Sequence, residues 1–282
     1  MSEATSGLAS LPQQNVLVKI EDGIAWVSLN RPAKRNAINP GIVYEMNKVL
    51  DVLEEEESAR VVVMTGSGEA FSAGMDLKEY FREPDAGSPI ARERLNRANS
   101  AWQWRRLMFF PKPTIAMVNG WCFGGAFQFL CACDLAIAAD DATFGLSEIN
   151  WGIIPAGIVT KSVAAALQQR KAMYYIMTGD TFDGPEAEKI GLVNFSVPRA
   201  QMVDKVKALA NKLMEKNPHV LRACKVGYHY TREMSWDMAA EYLASKIDAT
   251  KFRDPEQGAV KGMSQFLDEK SYRPGLGAYK RD

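Results

Sequence analysis

Short apolar runs closed by glycine or asparagine alternate along the first two thirds of the chain with stretches whose apolar residues recur every three or four positions. Residues 16–20 and 24–29 flank Glu21-Asp22-Gly23, the pattern of a β-hairpin. Residues 60–65, 114–118 and 134–139 are apolar runs of strand length, with no alternation that would mark a wet face. Pro40 suits the first turn of a helix, and Ile42, Met46, Val49, Leu50 and Leu53 follow at helical spacing. Residues 66–74 read as a loop, 76–81 as a short helix and 92–108 as a long one. The Pro- and Gly-bearing connection 82–92 is expected to be mobile. Further on, 159–167, 170–177 and 185–190 predict helices and 193–197 a strand. From Arg199 the pattern is helical, over 200–216, 218–230, 235–250 and 255–268. Strand–turn–helix units followed by helices predict an α/β core over 16–198 and a helical C-terminal part over 199–282. Residues 1–15 read as a disordered lead-in.

Composition narrows the function. At 282 residues and 47% hydrophobic content, the chain can bury a full core. Acidic and basic residues balance at 34 each, which leaves no footprint for nucleic acid or an anionic membrane. The longest apolar run, 120–133, is too short to span a bilayer and contains Gln128. The N-terminus carries neither a basic nor an apolar signal region, so a cytosolic protein is expected. Cys122, Cys131, Cys133 and Cys224 lack C-x-x-C spacing and read as reduced thiols, three of them in an apolar stretch. With His219 and His229 the only histidines, a histidine-based zinc site or triad has little material, and no metal is expected.

The chemistry concentrates in residues 112–157. Asn119-Gly120 breaks the strand at 114–118, and Gly124-Gly125 opens a helical segment through Cys133. Such a turn presents backbone N–H groups at the positive end of a helix dipole, a site for an oxygen bearing negative charge. A second glycine-flanked turn, at Ala73-Gly74-Met75, opens another helix. Glu148, in FGLSEINWGIIP, is an acid among apolar and aromatic neighbours. Desolvation there raises a carboxyl pKa and suits it to proton transfer near neutral pH.

These segments resemble the crotonase (enoyl-CoA hydratase/isomerase) superfamily, from about Val16 to the C-terminus. AGMDLKEYFRE, NGWCFGG, FGLSEINWGI, YYIMTG and FLDEKSYRPG resemble, more narrowly, the hydroxycinnamoyl-CoA hydratase-lyases of the feruloyl-CoA type. The resemblance implies a spiral of ββα turns, a trimer or pair of trimers, and an acyl-CoA substrate with no separate cofactor. It implies an oxyanion hole made by the backbone N–H groups of Met75 and Gly125, with Glu148 as the acid–base group. Plain hydratases often add a second glutamate where this chain has Gln128, which can hold a water or simply pack. Tyr80 matches the aromatic-binding tyrosine of the family, and Trp151 the tryptophan expected to line the ring pocket. Either residue could instead be ordinary packing. The relatives' DYLYAKLD is EYLASKID here, so Tyr242 matches the first tyrosine and Ala244 stands where the second would reach the ring hydroxyl. For CoA the expected groups are Lys34 ahead of Arg35, the backbones of Ala37, Ala73 and Leu77, Ser147 beside the acyl part, and Lys270 from a neighbouring subunit. The implied activity adds water to a 4-hydroxycinnamoyl-CoA and then cleaves it to an aromatic aldehyde, as in vanillin formation, and acetyl-CoA. The alternatives are a hydratase that stops at the 3-hydroxyacyl-CoA and a crotonase-fold binding protein without catalysis.

Overall fold

A computed structural model describes residues 7–275 and 277–281. Among the described residues, ten strands form two sheets: β1 Val16–Glu21, β2 Ile24–Leu29, β3 Val61–Gly66, β4 Ala70–Ser72, β5 Thr114–Val118, β6 Trp121–Phe123, β7 Leu135–Ala139, β8 Phe144–Gly145, β9 Thr181–Phe182 and β10 Phe195–Val197. The larger sheet runs β1-β2-β3-β5-β7-β10 and the smaller β4-β6-β8-β9. Three successive turns of chain each place one strand in the large sheet and the next in the small one: β3 then β4, β5 then β6, β7 then β8. Helical segments follow each pair, so the chain winds as a spiral of ββα turns. Both sheets are parallel except where β1 meets β2 and β8 meets β9.

The hairpin forms as the sequence predicts. Asp22 (φ 53°) and Gly23 (φ 78°) both take the left-handed region that a two-residue turn needs. In β3 every residue is buried, because alternate side chains enter two different layers. Val62 and Met64 join the main core, while Val61 and Val63 pack with Ile115, Ile137, Val206 and Ala210. The last two belong to the helix Met202–Met214, so the start of the helical C-terminal part covers the second face of the large sheet.

Several expectations change. Of the lead-in, residues 1–6 lie outside the described residues, but 7–15 are ordered. Leu11 is buried, and the buried Glu45 carboxylate accepts from the N–H groups of Gln14, Asn15 and Val16 at 3.2, 2.8 and 3.0 Å. The loop expected at 66–74 contains β4. The short helix near 76–81 is the π-helix Leu77–Arg82, capped by Asp76, and the mobile connection holds the short helix Glu83–Asp85. The long helix starts earlier, at Pro89, and passes through a π-helical segment, Ala101–Arg106. No helix among the described residues is long and apolar enough to cross a membrane.

Candidate active site

Each strand of the small sheet that ends a ββα turn hands over one part of the site. β4 ends at Ser72, just before Gly74-Met75; β6 ends at Phe123, before Gly124-Gly125; β8 ends at Gly145, before the 3-10 turn Ser147–Trp151. Because these strands are parallel neighbours, the three C-terminal ends lie side by side.

At the first end, Ile38 N–H donates to Gly74 O at 2.8 Å and Asp76 N–H to Ile38 O at 2.9 Å. In a parallel bridge the residue between those two groups turns its own N–H to the other side, so Met75 N–H faces away from Ile38. Gly125 N–H stands next to it. A Cβ built on Gly74 would lie 2.9 Å from Gly125 N, and one built on Gly125 would lie 3.3 Å from Met75 N. Neither N–H has a protein acceptor among the described residues. Gly125 also caps the helix Ala126–Ala132, whose dipole adds positive potential. Two converging, unengaged donors are the arrangement an enolate oxygen requires.

Glu148 faces them from the third end. Its Oε1 sits 2.9 Å from where a Cβ on Gly124 would be, and Gly124 has φ 48°. Only glycine fits that position. Oε2 is buried without a hydrogen-bond partner. Burial pushes the carboxyl above its ordinary value, against a smaller opposing effect of its own backbone N–H. An acid held in that state moves protons more readily than a solvated one.

Gln128 is buried on the helix Ala126–Ala132, its amide against Gly157, whose Cβ would lie 3.2 Å from Nε2. An amide is no base, so Gln128 cannot take a proton. Tyr80 is 5% exposed on the π-helix and donates its hydroxyl to Asn96 Oδ1 at 3.0 Å, with Arg92 over its ring. Ser147 is half-buried beside Glu148. Trp151, expected against a ring, is 67% exposed at the end of its turn and touches no aromatic group among the described residues.

The proposed CoA side is built around a loop. Lys34 is exposed at the end of the 3-10 turn Pro32–Lys34, and Arg35 lays its guanidinium 4.3 Å from the centroid of the Trp121 ring. Ala37 N–H donates to Lys34 O, and Ala37 O accepts from Arg31 at 2.6 Å. Ala73 N–H is taken by Arg35 O, so only its carbonyl remains for a ligand. Leu77 is half exposed, and Lys270 is exposed in the C-terminal segment.

Sequence reasoning passed over the residues that hold this loop to the Gly74-Met75 turn. Arg31 pairs with Asp76 at 3.0 Å and Glu79 at 2.7 Å, and Asn39 reaches Glu79 at 2.7 Å. Asn36, fully buried, bonds Ser67 O and Ala70 O. Burial alone would push the Asp76 carboxyl up. The N–H of Glu79, then Arg31, then the N–H of Lys78 outweigh it and hold the group below its ordinary value.

A spiral of ββα turns whose strand ends bring two free N–H groups to a desolvated glutamate defines an enzyme class that stabilises enolates of acyl groups. The chain belongs to the enoyl-CoA hydratase/isomerase family, which residues 19–273 match. It is 57% identical to a hydroxycinnamoyl-CoA hydratase-lyase of Pseudomonas fluorescens, over 95% of this chain and 97% of that one. A probable mitochondrial enoyl-CoA hydratase of Dictyostelium discoideum is 30% identical over 88% of this chain and 86% of its own. The solved enoyl-CoA hydratase of Mycobacterium smegmatis superposes with a TM-score of 0.81 at 27% identity, over 90% of this chain and 96% of that chain. The crotonase fold is therefore shown.

Proposed function

We propose that the protein is a lyase that hydrates 4-hydroxycinnamoyl-CoA thioesters such as feruloyl-CoA and cleaves the adduct to an aromatic aldehyde and acetyl-CoA. The observation that carries this reading is the 57% identity, running nearly end to end, to a hydroxycinnamoyl-CoA hydratase-lyase. The geometry supports it. Ionised Glu148 takes a proton from water as the oxygen attacks Cβ, while charge moves to the thioester oxygen between Met75 N–H and Gly125 N–H. Glu148 returns that proton to Cα. In the second half the same carboxylate takes the β-hydroxyl proton, the Cα–Cβ bond breaks, and its electron pair becomes the enolate of acetyl-CoA, which is protonated at carbon. Both halves develop the same enolate, so one oxyanion hole serves both. The balance closes with water as the sole co-reactant, and no step calls for a metal or redox cofactor.

On this reading Lys34 and Arg35 meet the CoA phosphates, and Ser147, Tyr80 and Trp151 border the acyl part. A cytosolic location is part of this reading, and the zero net charge fits a small-molecule substrate better than nucleic acid. The helix Trp236–Arg253 buries none of its residues within the chain, leaving Trp236 92% and Phe252 90% exposed. Such faces suit a homotrimer or a dimer of trimers.

Incubation with feruloyl-CoA, following thioester loss and vanillin together, tests the function. Equal amounts of both are expected. Loss of the double bond without aldehyde would make the enzyme a hydratase that stops at the 3-hydroxyacyl-CoA.

A further inference from the structure

A stripe of amides runs along the helix Pro89–Ser100 and the π-helical segment that continues it. Asn96, Asn99 and Gln103 are three and four residues apart and so share a face. Asn99 is 7% exposed and Gln103 fully buried. Amides in such places are tolerated when their donors and acceptors are matched. Asn99 Nδ2 donates to Gln103 Oε1 at 2.9 Å, and Gln103 Nε2 reaches Met75 Sδ at 3.8 Å. Asn99 Oδ1 breaks the pattern: it is buried and has no donor. An unmatched buried acceptor is unfavourable enough to call for a reason.

Its place in the site supplies one. Gln103 touches the side chain of Met75, whose N–H is the proposed oxyanion donor, and Asn96, one turn before Asn99 on the same face, accepts the Tyr80 hydroxyl. Asn99 therefore stands between the carbonyl end of the acyl site and the phenol at its ring end. The proton of Tyr80 is taken by Asn96, so Tyr80 has only lone pairs left to offer. Tyr80 Oη and Asn99 Oδ1 are both acceptors; a neutral O–H has one proton to give, and Asn99 Oδ1 is the buried acceptor left without a donor.

We propose that Asn99 is a specificity-determining residue whose Oδ1 accepts the proton of the acyl group's ring hydroxyl, a recognition that the tyrosine missing at Ala244 does not supply here. The inference rests on the 4-hydroxycinnamoyl reading above. A phenol bonded to a neutral acceptor keeps its proton and still feeds electron density to the benzylic carbon. A methyl ether has no proton to give, and an unsubstituted ring leaves the acceptor unmatched.

The test compares kcat/KM for 4-hydroxycinnamoyl-CoA and cinnamoyl-CoA in the wild type, Asn99→Leu and Asn99→Asp. Each is read both as loss of the conjugated double bond and as aldehyde released. The 4-hydroxy preference should fall about tenfold in Asn99→Leu, the loss of one good hydrogen bond. In Asn99→Asp, which keeps an acceptor while replacing the donor to Gln103 with a second carboxyl oxygen, the preference should persist or rise. Equal losses on both substrates in Asn99→Leu, or loss of the preference in Asn99→Asp as well, would mean that the amide only supports the fold and would overturn the inference. Thermal unfolding reports whether the variants fold. If Asn99→Leu does not fold, wild-type turnover of 4-methoxycinnamoyl-CoA decides: it should be no better than the unsubstituted ester, and parity with the 4-hydroxy ester overturns the inference. Absence of aldehyde from the wild type, with hydration intact, removes the lyase reading while the preference can still be measured on the double bond.

Discussion

Glu148 has one oxygen against Gly124 and one without any partner, in a pocket that disfavours its charge. Glu148→Gln should lower kcat by about a hundredfold or more and leave CoA-ester binding nearly intact, measured by steady-state kinetics and isothermal titration. Near-normal turnover would assign proton transfer to another residue. The same substitution makes a stability prediction of opposite sign. A carboxyl whose folded pKa is raised destabilises the fold once pH exceeds its ordinary value of 4.5, because the unfolded chain ionises more easily. Glu148→Gln should therefore unfold at a higher temperature than the wild type at pH 7, and the gap should close as pH falls toward 4. A lower melting temperature at pH 7 would show that the ionised carboxylate is stabilised by contacts other than those seen here.

At the scale of elements, the ion pairs of Arg31 join the loop proposed to meet CoA to the turn that carries Met75. Arg31 and Asp76 are both largely buried, whereas Glu79 is over a third exposed, so the first pair carries most of the effect. Arg31→Met removes the cation and leaves Asp76 uncompensated, which should cost roughly 2–3 kcal/mol of stability after discounting the exposed pair. It should also raise KM for CoA esters while kcat falls, since both the loop and the donor loosen. An unchanged kcat would separate the loop from the oxyanion turn. The clamp was illegible in the sequence because its partners, Arg31 and Asp76, are 45 residues apart and each looks like a surface charge alone. The glycine turns before Met75 and at Gly125, and Glu148 as an acid among apolar residues, were legible because they are local signals; the structure brings them together, and their proposed roles await the tests above. The large sheet was legible for the same reason: its strands are five- and six-residue apolar runs, apart from the three-residue β10. The small sheet was not, because strands of two or three residues carry no period. The π-helical turns escaped too, since one extra residue per turn barely alters a short apolar pattern.

For the whole molecule, the C-terminal helices leave large apolar residues exposed, the feature on which the proposed trimer rests. Burying Trp236 and Phe252 alone removes two of the most exposed large side chains from water. The double variant Trp236→Glu, Phe252→Glu should shift the protein toward monomer in analytical ultracentrifugation, with little loss of helix by circular dichroism. An unchanged sedimentation coefficient would place the subunit contacts elsewhere. Lys225, which pairs with Asp134 at 2.8 Å and ties the helix Pro218–Thr231 to the start of β7, is retained in that variant, so the C-terminal helices stay docked.

If the proposed oxyanion donors are the peptide groups that follow β4 and β6, substitution and indel tolerance part company here. Exchanging the side chain at position 75 leaves the N–H in place, so an alanine scan would pass over the proposed donors. A single residue inserted into or deleted from Ala70–Ser72 or Trp121–Phe123 would instead turn one donor away from the other. Evolution can rewrite the letters of these short strands with some freedom, but their lengths are fixed by the chemistry.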